Sequence, residues 1–279
     1  MLNIKKLKIK IKGGSEILSF AVLSSGSTAN SSVVKTDSTT ILIDAGLSGK
    51  KTEDALKSLS LNIEEVDAIF LTHEHEDHTR GAGILSRNYG IAIYATPRTF
   101  FAAEYKLGKV EERVFIKSSE KVRVGDIEIE SFPVPHFASD PVGFVFRHKG
   151  FKIGYCSDLG YVPREVIQIL KNPDILVIET NYHPVMLRNG IYPPHLKAKI
   201  ESRFGHLSNL DGGKAAVQIV GPKTKHVVLA HISKNNNTPE TALNNVTSIF
   251  KLSSLPLPSL HLTWHERHTG PFFCTEKEG

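Results

Sequence analysis

Cysteine is scarce in this chain of 279 residues, and a long apolar run is missing. The two cysteines, Cys156 and Cys274, are too few for a disulfide framework, so we expect a reducing compartment, the cytoplasm. A membrane-spanning helix needs about 18 consecutive apolar residues, and no such stretch occurs, so no membrane partner is expected. The basic N-terminus also lacks the uninterrupted apolar segment of a signal peptide, which argues against export.

Charge of neither sign dominates the composition. Lys and Arg number 34 against 29 Asp and Glu, which gives a net charge of +5 and a pI near 9.0. A hydrophobic content of 40% and a charged content of 23% are ordinary for a globular protein with a buried core. The modest basic excess permits a nucleic-acid partner without requiring one. The composition carries no information on oligomeric state.

Short apolar segments alternate with helix-like segments along the chain. Buried strands are predicted at residues 17–23, 40–44, 66–72, 91–95, 175–179, 227–230 and 260–264, and hairpins at 121–132 and 143–156. Helices are predicted at 48–59, 81–88, from 163 onward, within 185–204, at 209–220 and at 238–251. Strand meanders followed by βα units occur twice, which predicts two similar halves packed sheet to sheet with helices outside. No repeat or long linker interrupts the chain, so residues 1–279 are expected to form one domain.

Near the N-terminus, lysines alternate with apolar residues. Lys6, Lys8, Lys10 and Lys12 would share one side of a strand. Nucleic-acid contact is one interpretation of such a row, and protection of a sheet edge against aggregation is the one we favour.

The segment His-Glu-His-Glu-Asp-His at residues 73–78 follows a predicted buried strand. Imidazole nitrogen and carboxylate oxygen suit zinc, manganese or iron. Alternation after the strand would place His73 and His75 on one side, whereas Asp77 and His78 turn away as a helix begins. This hexapeptide can therefore serve two metal ions, and a solvated charged loop is the less favoured alternative.

Two metal ions need more ligands than this segment provides, and further candidates stand at other strand ends. His136 follows a predicted strand, Asp158 follows the strand that contains Cys156, and His231 follows the strand at 227–230. Taken singly, each residue would be interpreted as structural or solvent-facing. Together with the hexapeptide they predict a dinuclear site.

The chain contains His-x-His-x-Asp-His and then, in this order, His136, Asp158 and His231. This pattern resembles that of the metallo-β-lactamase superfamily, and the resemblance extends from about residue 18 to about residue 265. The resemblance implies an α/β (α+β) fold, an αββα four-layer sandwich with the metals between two half-domains. It implies that one metal binds His73, His75 and His136, that the other binds Asp77, His78 and His231, and that Asp158 bridges them. It also implies that Asp44 supports the ligand loop from behind.

Further motifs are similar to those of the YycJ (WalJ) group, described as 5′→3′ DNA exonucleases linked to mismatch repair. These motifs are residues 23–27 with Asn30, 44–48, 72–75, 181–187, 190–193 and 205–209. The interval between Asp158 and His231 has no space for the inserted domain of ribonuclease J-like enzymes. The interval between His136 and Asp158 likewise has no space for a tRNA-binding arm. Glu76 departs from the group pattern, in which a small residue is common.

Several residues, within the ligand pattern and outside it, are candidates for catalysis and substrate binding. Asp77 and His206 are the predicted catalytic residues, with His206 as the proton donor to the leaving oxygen or, alternatively, a packing histidine. Ser208 and Asn209 either bind phosphate or cap the following helix. Basic side chains that guide a polyanion, or that form a solvated helix face, are Arg188, Lys197, Lys199 and Arg203.

Three functions remain open on the sequence alone. The leading prediction is a phosphodiester hydrolase with two divalent metal ions (Zn or Mn, with Fe as a further candidate), a 5′→3′ DNA exonuclease acting in DNA repair. The second is a phosphodiesterase for a small cyclic or nucleotide phosphate, and RNA is a further substrate class. The third is a nucleic-acid-binding protein with a structural metal site, which is disfavoured because no ligand position is missing.

Overall fold

The computed structural model describes residues 17–274, which form two seven-stranded sheets. The first sheet contains β1 (Leu18–Ser24), β2 (Ser31–Lys35), β3 (Thr40–Ile43), β4 (Ala68–Phe70), β5 (Ala92–Ala95), β6 (Arg113–Phe115) and β14 (Thr269–Cys274). The second contains β7 (Lys121–Val124), β8 (Ile127–Pro133), β9 (Val142–His148), β10 (Phe151–Cys156), β11 (Ile175–Glu179), β12 (His226–Ala230) and β13 (Ser259–Leu262).

Helices connect the strands, and side-chain caps define where several of them begin. They are α1 (Gly49–Ser58), α2 (Glu76–Thr79), α3 (Ala82–Tyr89), α4 (Pro97–Leu107), α5 (Arg164–Leu170), α6 (Pro184–Asn189), α7 (Pro194–Glu201), α8 (Asn209–Ile219) and α9 (Pro239–Ser253). The hydroxyls of Ser48, Thr96 and Thr238 accept a backbone N–H of the first turn of α1, α4 and α9. None of the helices within residues 17–274 is long and apolar enough to cross a membrane.

Both sheets follow the same plan. In the first, β1, β2 and β3 are antiparallel and β3 to β6 are parallel, in the order β14-β1-β2-β3-β4-β5-β6. In the second, β7 to β10 are antiparallel and β10 to β13 are parallel, in the order β13-β12-β11-β10-β9-β8-β7. The expectation of two similar halves is thus confirmed.

Within residues 17–274 the hydrophobic core has three large clusters and a small fourth one around Leu187. One cluster fills the space between the sheets and includes Phe70 and Phe144, whose rings meet edge to face at 5.5 Å. A second cluster lies under α1, α3 and α4, and a third lies under α5, α8 and α9. Helices therefore cover the outer faces of both sheets, which confirms the αββα sandwich.

Several elements differ from the sequence predictions. Strands β2, β6 and β14 and helix α4 were not anticipated, and β14 returns to the first sheet, where it pairs with β1. The N-cap of α8 is Ser208 rather than Asn209, because the Ser208 hydroxyl accepts the backbone N–H of Asp211. The predicted lysine row at Lys6, Lys8, Lys10 and Lys12 lies outside the described residues.

Candidate metal centre

The predicted ligand residues stand where the carboxyl ends of strands from both sheets meet. Residues 73–78 follow β4 in the first sheet, and α2 begins within them. In the second sheet, β8 and β10 both run antiparallel to β9, so their carboxyl ends share an edge with those of β11 and β12. His136, Asp158 and His231 follow β8, β10 and β12 at that edge.

Three imidazoles form the first cluster. One ligand atom from each of His73, His75 and His136 lies within 4.8 Å of the others. Ring centroids are 4.5 Å apart for His73 and His75, and 5.0 Å apart for His73 and His136. The Nδ1 of His136 donates a hydrogen bond to the Gly205 carbonyl at 3.1 Å, which leaves its Nε2 for the cluster.

Asp158 connects the first cluster to a second one, which contains His206 and His231. A ligand atom of Asp158 lies within 4.8 Å of atoms of His73 and His78. A ligand atom of Asp158 also lies within 4.8 Å of atoms of His206 and His231. The Nε2 of His78 is 3.4 Å from Asp77 Oδ2 and 3.5 Å from Asp158 Oδ2. The structure therefore brings all seven predicted ligand residues together.

Asp44 lies behind the ligand loop, as the resemblance implied. Its buried carboxylate accepts hydrogen bonds from the Thr72 backbone at 2.8 Å, the Thr72 hydroxyl at 2.9 Å and His78 Nδ1 at 2.8 Å. Gly46 permits a close approach on the same side, since a Cβ there would lie 1.6 Å from the Asp77 carbonyl oxygen. This support holds Asp77 and His78 in position.

The loop at residues 24–30, which sequence motifs singled out without a role, contacts predicted ligand residues of both halves. The Ser25 hydroxyl accepts the backbone N–H of His231 at 2.8 Å. The Asn30 backbone donates to the Asp77 carbonyl at 2.7 Å, and its side-chain amide donates to Asp77 Oδ2 at 3.0 Å. These contacts show what the motif residues do: they position Asp77 and His231.

Glu179, the last residue of β11, is a central residue that sequence reasoning missed. Its Oε1 accepts hydrogen bonds from His206 Nδ1 at 2.7 Å and from His231 Nδ1 at 2.8 Å. Its Oε2 accepts the backbone N–H groups of Leu159 at 3.0 Å and Leu207 at 3.1 Å. Burial would raise the pKa of Glu179, but these histidines outweigh burial and hold it low, so the buried carboxylate is ionised.

Backbone conformation at the strand ends is unusual at three of these positions. Asp44, Asp158 and His231 have φ angles of 57°, 57° and 56°, in the left-handed region that non-glycine residues seldom adopt. Each follows a strand closely, and the change of backbone direction carries its side chain to the site. Backbone strain of this kind concentrates at functional sites.

The donor set fits divalent cations. The Nε2 of His231 is buried without a hydrogen-bond partner, which a coordinated cation would satisfy. Burial lowers the pKa of His136 to about 4, so this imidazole is neutral and can act as a ligand. Burial would lower the pKa of His78 and His231, but nearby carboxylates outweigh it and raise both, which shows that the cluster attracts positive charge.

A cleft of about 230 Å³ opens over the clusters. Its wall includes Asp77 and His206, the two predicted catalytic residues, and Lys199 of α7. Glu76, the departure from the group pattern, is exposed and pairs with Arg80 at 3.2 Å outside this wall.

The predicted phosphate contacts have other partners. The Ser208 hydroxyl donates to Asp211 Oδ2 at 2.6 Å, and buried Asn209 donates to Asn237 Oδ1 at 2.9 Å, so capping and packing are the alternatives that the structure favours. Of the predicted basic residues, Lys199 lies in the cleft wall and the other three lie beyond it. Arg188 pairs with Glu201 at 3.7 Å, Lys197 donates to the Arg188 carbonyl at 2.8 Å, and Arg203 lies over the Tyr161 ring at 4.5 Å.

Comparison with known proteins agrees with this geometry. Residues 39–232 match the family model of the β-lactamase superfamily domain. Exodeoxyribonuclease YycJ of Bacillus anthracis is 41% identical over 236 residues, which cover 84% of this chain and 89% of YycJ. Exodeoxyribonuclease WalJ of Streptococcus pneumoniae serotype 2 (strain D39) is 39% identical over 242 residues, covering 85% and 89%.

The chain belongs to the metallo-β-lactamase superfamily, in the YycJ/WalJ family. The resemblance drawn from the sequence motifs is therefore confirmed. Among solved structures, the metallo-β-lactamase fold protein YhfI of Bacillus subtilis matches with a TM-score of 0.69 at 14% identity, covering 91% of this chain and 99% of YhfI. The similarity to YhfI concerns the fold alone.

Proposed function

We propose that this YycJ/WalJ-family chain is a phosphodiester hydrolase that depends on two divalent metal ions and degrades DNA from a 5′ end. The observation that carries the proposal is the convergence of His, Asp and Glu side chains from both sheets on one cleft. The relatives at 41% and 39% identity are named exodeoxyribonucleases, and they align over most of their length.

The proposed ligand sets are those that the family resemblance implies, and the first of them coincides with a cluster of the structure. One ion would be held by His73, His75 and His136, the other by Asp77, His78 and His231, with Asp158 shared between them. Zinc and manganese suit such nitrogen and oxygen donors, and iron is a further candidate. Ions bound there would supply a nucleophile at neutral pH and neutralise charge on the phosphate.

His206 is the proposed proton donor to the leaving oxygen. Its ring lies in the cleft wall, 5.2 Å from the His136 ring and 5.0 Å from the His231 ring, measured between centroids. Because Nδ1 donates to Glu179, the ring is held in one orientation and Nε2 is left to exchange a proton with substrate. Glu179 therefore acts as a positioning residue for His206 and His231.

A DNA substrate and a role in repair are part of this proposal, as is a cytoplasmic location. The cleft is open to solvent, and Lys199 in its wall provides a cation for a phosphate backbone. Both cysteines are buried and unpaired, as expected in a reducing compartment.

Single substitutions in the two clusters test the proposal. His75→Ala and Asp158→Asn are expected to abolish cleavage of 5′-labelled duplex DNA with manganese or zinc, and to reduce metal content by elemental analysis. His195→Ala, which removes an exposed histidine on α7 outside the clusters, is the control. DNA cleavage that survives either substitution would refute the site. Turnover of a cyclic phosphate without DNA cleavage would favour the small-substrate alternative.

A further inference from the structure

Two phenylalanine rings have large exposed surfaces, one in the cleft wall (Phe137) and one beside it (Phe204). Phe137 directly follows His136, and Phe204 lies two residues before His206. Their exposed fractions are 43% and 51%, and their ring centroids are 5.7 Å apart. Exposed aromatic residues next to a polar site point to a ligand with an apolar face.

These rings are held by the same backbone that positions the clusters. The Phe137 N–H donates to the Phe204 carbonyl at 3.0 Å, and His136 Nδ1 donates to the Gly205 carbonyl at 3.1 Å. The segments at residues 136–137 and 204–205 are therefore joined by two hydrogen bonds. Because the rings extend from this joined backbone, they form a surface at a fixed distance from the site.

Positive charge surrounds this aromatic surface. The Lys199 ammonium lies 5.1 Å from the centre of the Phe137 ring and also forms part of the cleft wall. The Arg203 guanidinium lies over the Tyr161 ring at 4.5 Å, one residue before Phe204 in the chain. Aromatic faces next to cations match a ligand that combines flat rings with negative charge, as a nucleotide does.

We propose that Phe137 and Phe204 form a stacking platform for an unpaired base of the DNA strand, and that Lys199 binds a phosphate of the same strand. This inference rests on the proposed function and specifies how the strand end is held. The metal clusters act on the phosphodiester, whereas the platform contacts a base beside it. Any base presents a flat face, so the platform tolerates every sequence, as an exonuclease requires.

Removing the Phe204 ring from the protein and removing bases from the substrate should raise KM to a similar extent. With Phe204→Ala, KM for a single-stranded end is expected to rise about 5- to 160-fold, the range for loss of one base–aromatic stack, with a smaller change in kcat. A substrate with abasic sites at its first three nucleotides should raise the wild-type KM similarly. Phe204→Ala should then add little, because the stack is already absent. Phe204→Trp should restore a low KM.

Two controls test whether the position of the ring at the cleft causes the rise in KM. Phe273→Ala removes a ring of similar exposure, 39%, from β14 away from the cleft, and should leave KM unchanged. Equilibrium binding of the same strands by fluorescence anisotropy in EDTA gives a readout independent of turnover. Phe137→Ala provides a second ring deletion if Phe204→Ala does not fold.

The outcomes discriminate between the platform and the proposed function. Equal losses on intact and abasic strands, or no loss at all, would overturn the platform while DNA cleavage persists. A change of oligomeric state in Phe204→Ala, measured by sedimentation, would assign the surface to contact between copies and overturn it too. If the wild type cleaves no DNA, the proposed function fails, and the platform fails with it.

Discussion

Replacing Glu179 by glutamine would test the hydrogen-bond network behind the clusters with little change of side-chain volume. The carboxylate accepts four hydrogen bonds, two from His206 and His231 and two from the backbone of Leu159 and Leu207. A glutamine amide has one oxygen and one NH2 group. Toward Leu159 and Leu207 its NH2 group faces two backbone donors, and toward His206 and His231 it faces two Nδ1–H donors as long as these rings keep their tautomer, so two hydrogen bonds are lost at a buried site.

The expected magnitude follows from this count. A buried hydrogen bond to a charged group contributes about 1.5–3 kcal/mol, so two lost bonds amount to about 3–6 kcal/mol. Relaxation of the surroundings favours the lower end, and we expect the free energy of unfolding to fall by about 3 kcal/mol. Loss of the partner that orients His231 should also weaken metal binding by about 10- to 100-fold.

Two assays check these numbers. Urea unfolding of the metal-free protein gives the stability change from the shift of the midpoint, provided that the slope is unchanged. Competition with a chromophoric chelator gives the metal affinity. Glu165→Gln, which alters an exposed carboxylate on α5, is the matched control. If Glu179→Gln matched the control in both assays, the role assigned to Glu179 would be wrong.

Three further predictions address the core, the ligand loop and pH. Phe70→Ala empties a fully buried site between the sheets and should cost about 3–5 kcal/mol in urea unfolding, whereas a loss below about 1 kcal/mol would contradict close packing there. Gly46→Ala places a Cβ 1.6 Å from the Asp77 carbonyl oxygen, so elemental analysis should show less bound metal. His226 and His261 share a hydrogen bond of 3.0 Å, and burial lowers the pKa of both. The unfolded chain therefore takes up protons first below about pH 6.5, and stability should fall as the pH drops below that value. Unfolding midpoints across pH 5 to 7 should depend less on pH in His226→Gln, and equal pH dependence would exclude this pair as a cause.

Much of the fold was predictable because apolar strands and glycine or proline boundaries are local signals. The elements that were missed lacked such signals. In β2, Ser31 and Ser32 are fully buried polar residues, which disguise a buried strand. In α4, Phe101 and Tyr105 face solvent, which blurs the amphipathic pattern. Strand β14 contains Pro271, and proline counts against a strand except at a sheet edge, where β14 in fact lies.

The site was predictable where ligand-type residues followed strands, and less so where function depends on partners distant in sequence. The seven predicted ligand residues were found from that placement together with the family pattern. Glu179 also ends a buried strand, Ile175–Glu179, and this signal could have identified it. Its role depends on His206 and His231, which only the folded chain brings to the same oxygen. Likewise, the choice between capping and phosphate binding for Ser208 required the position of Asp211.

The left-handed strand ends have a consequence for how this protein can change over evolutionary time. At Asp44, Asp158 and His231 an L-amino acid occupies a conformation that costs about 1 kcal/mol or more, and glycine would occupy it without that cost. Substitution of these residues by glycine would therefore relieve the backbone strain and remove the side chains of the site. At Asp44 and His231 the same change would also take hydrogen-bond partners from Thr72, His78 and Glu179, which costs more than the backbone strain, so both side chains should persist even in a descendant freed from selection for turnover.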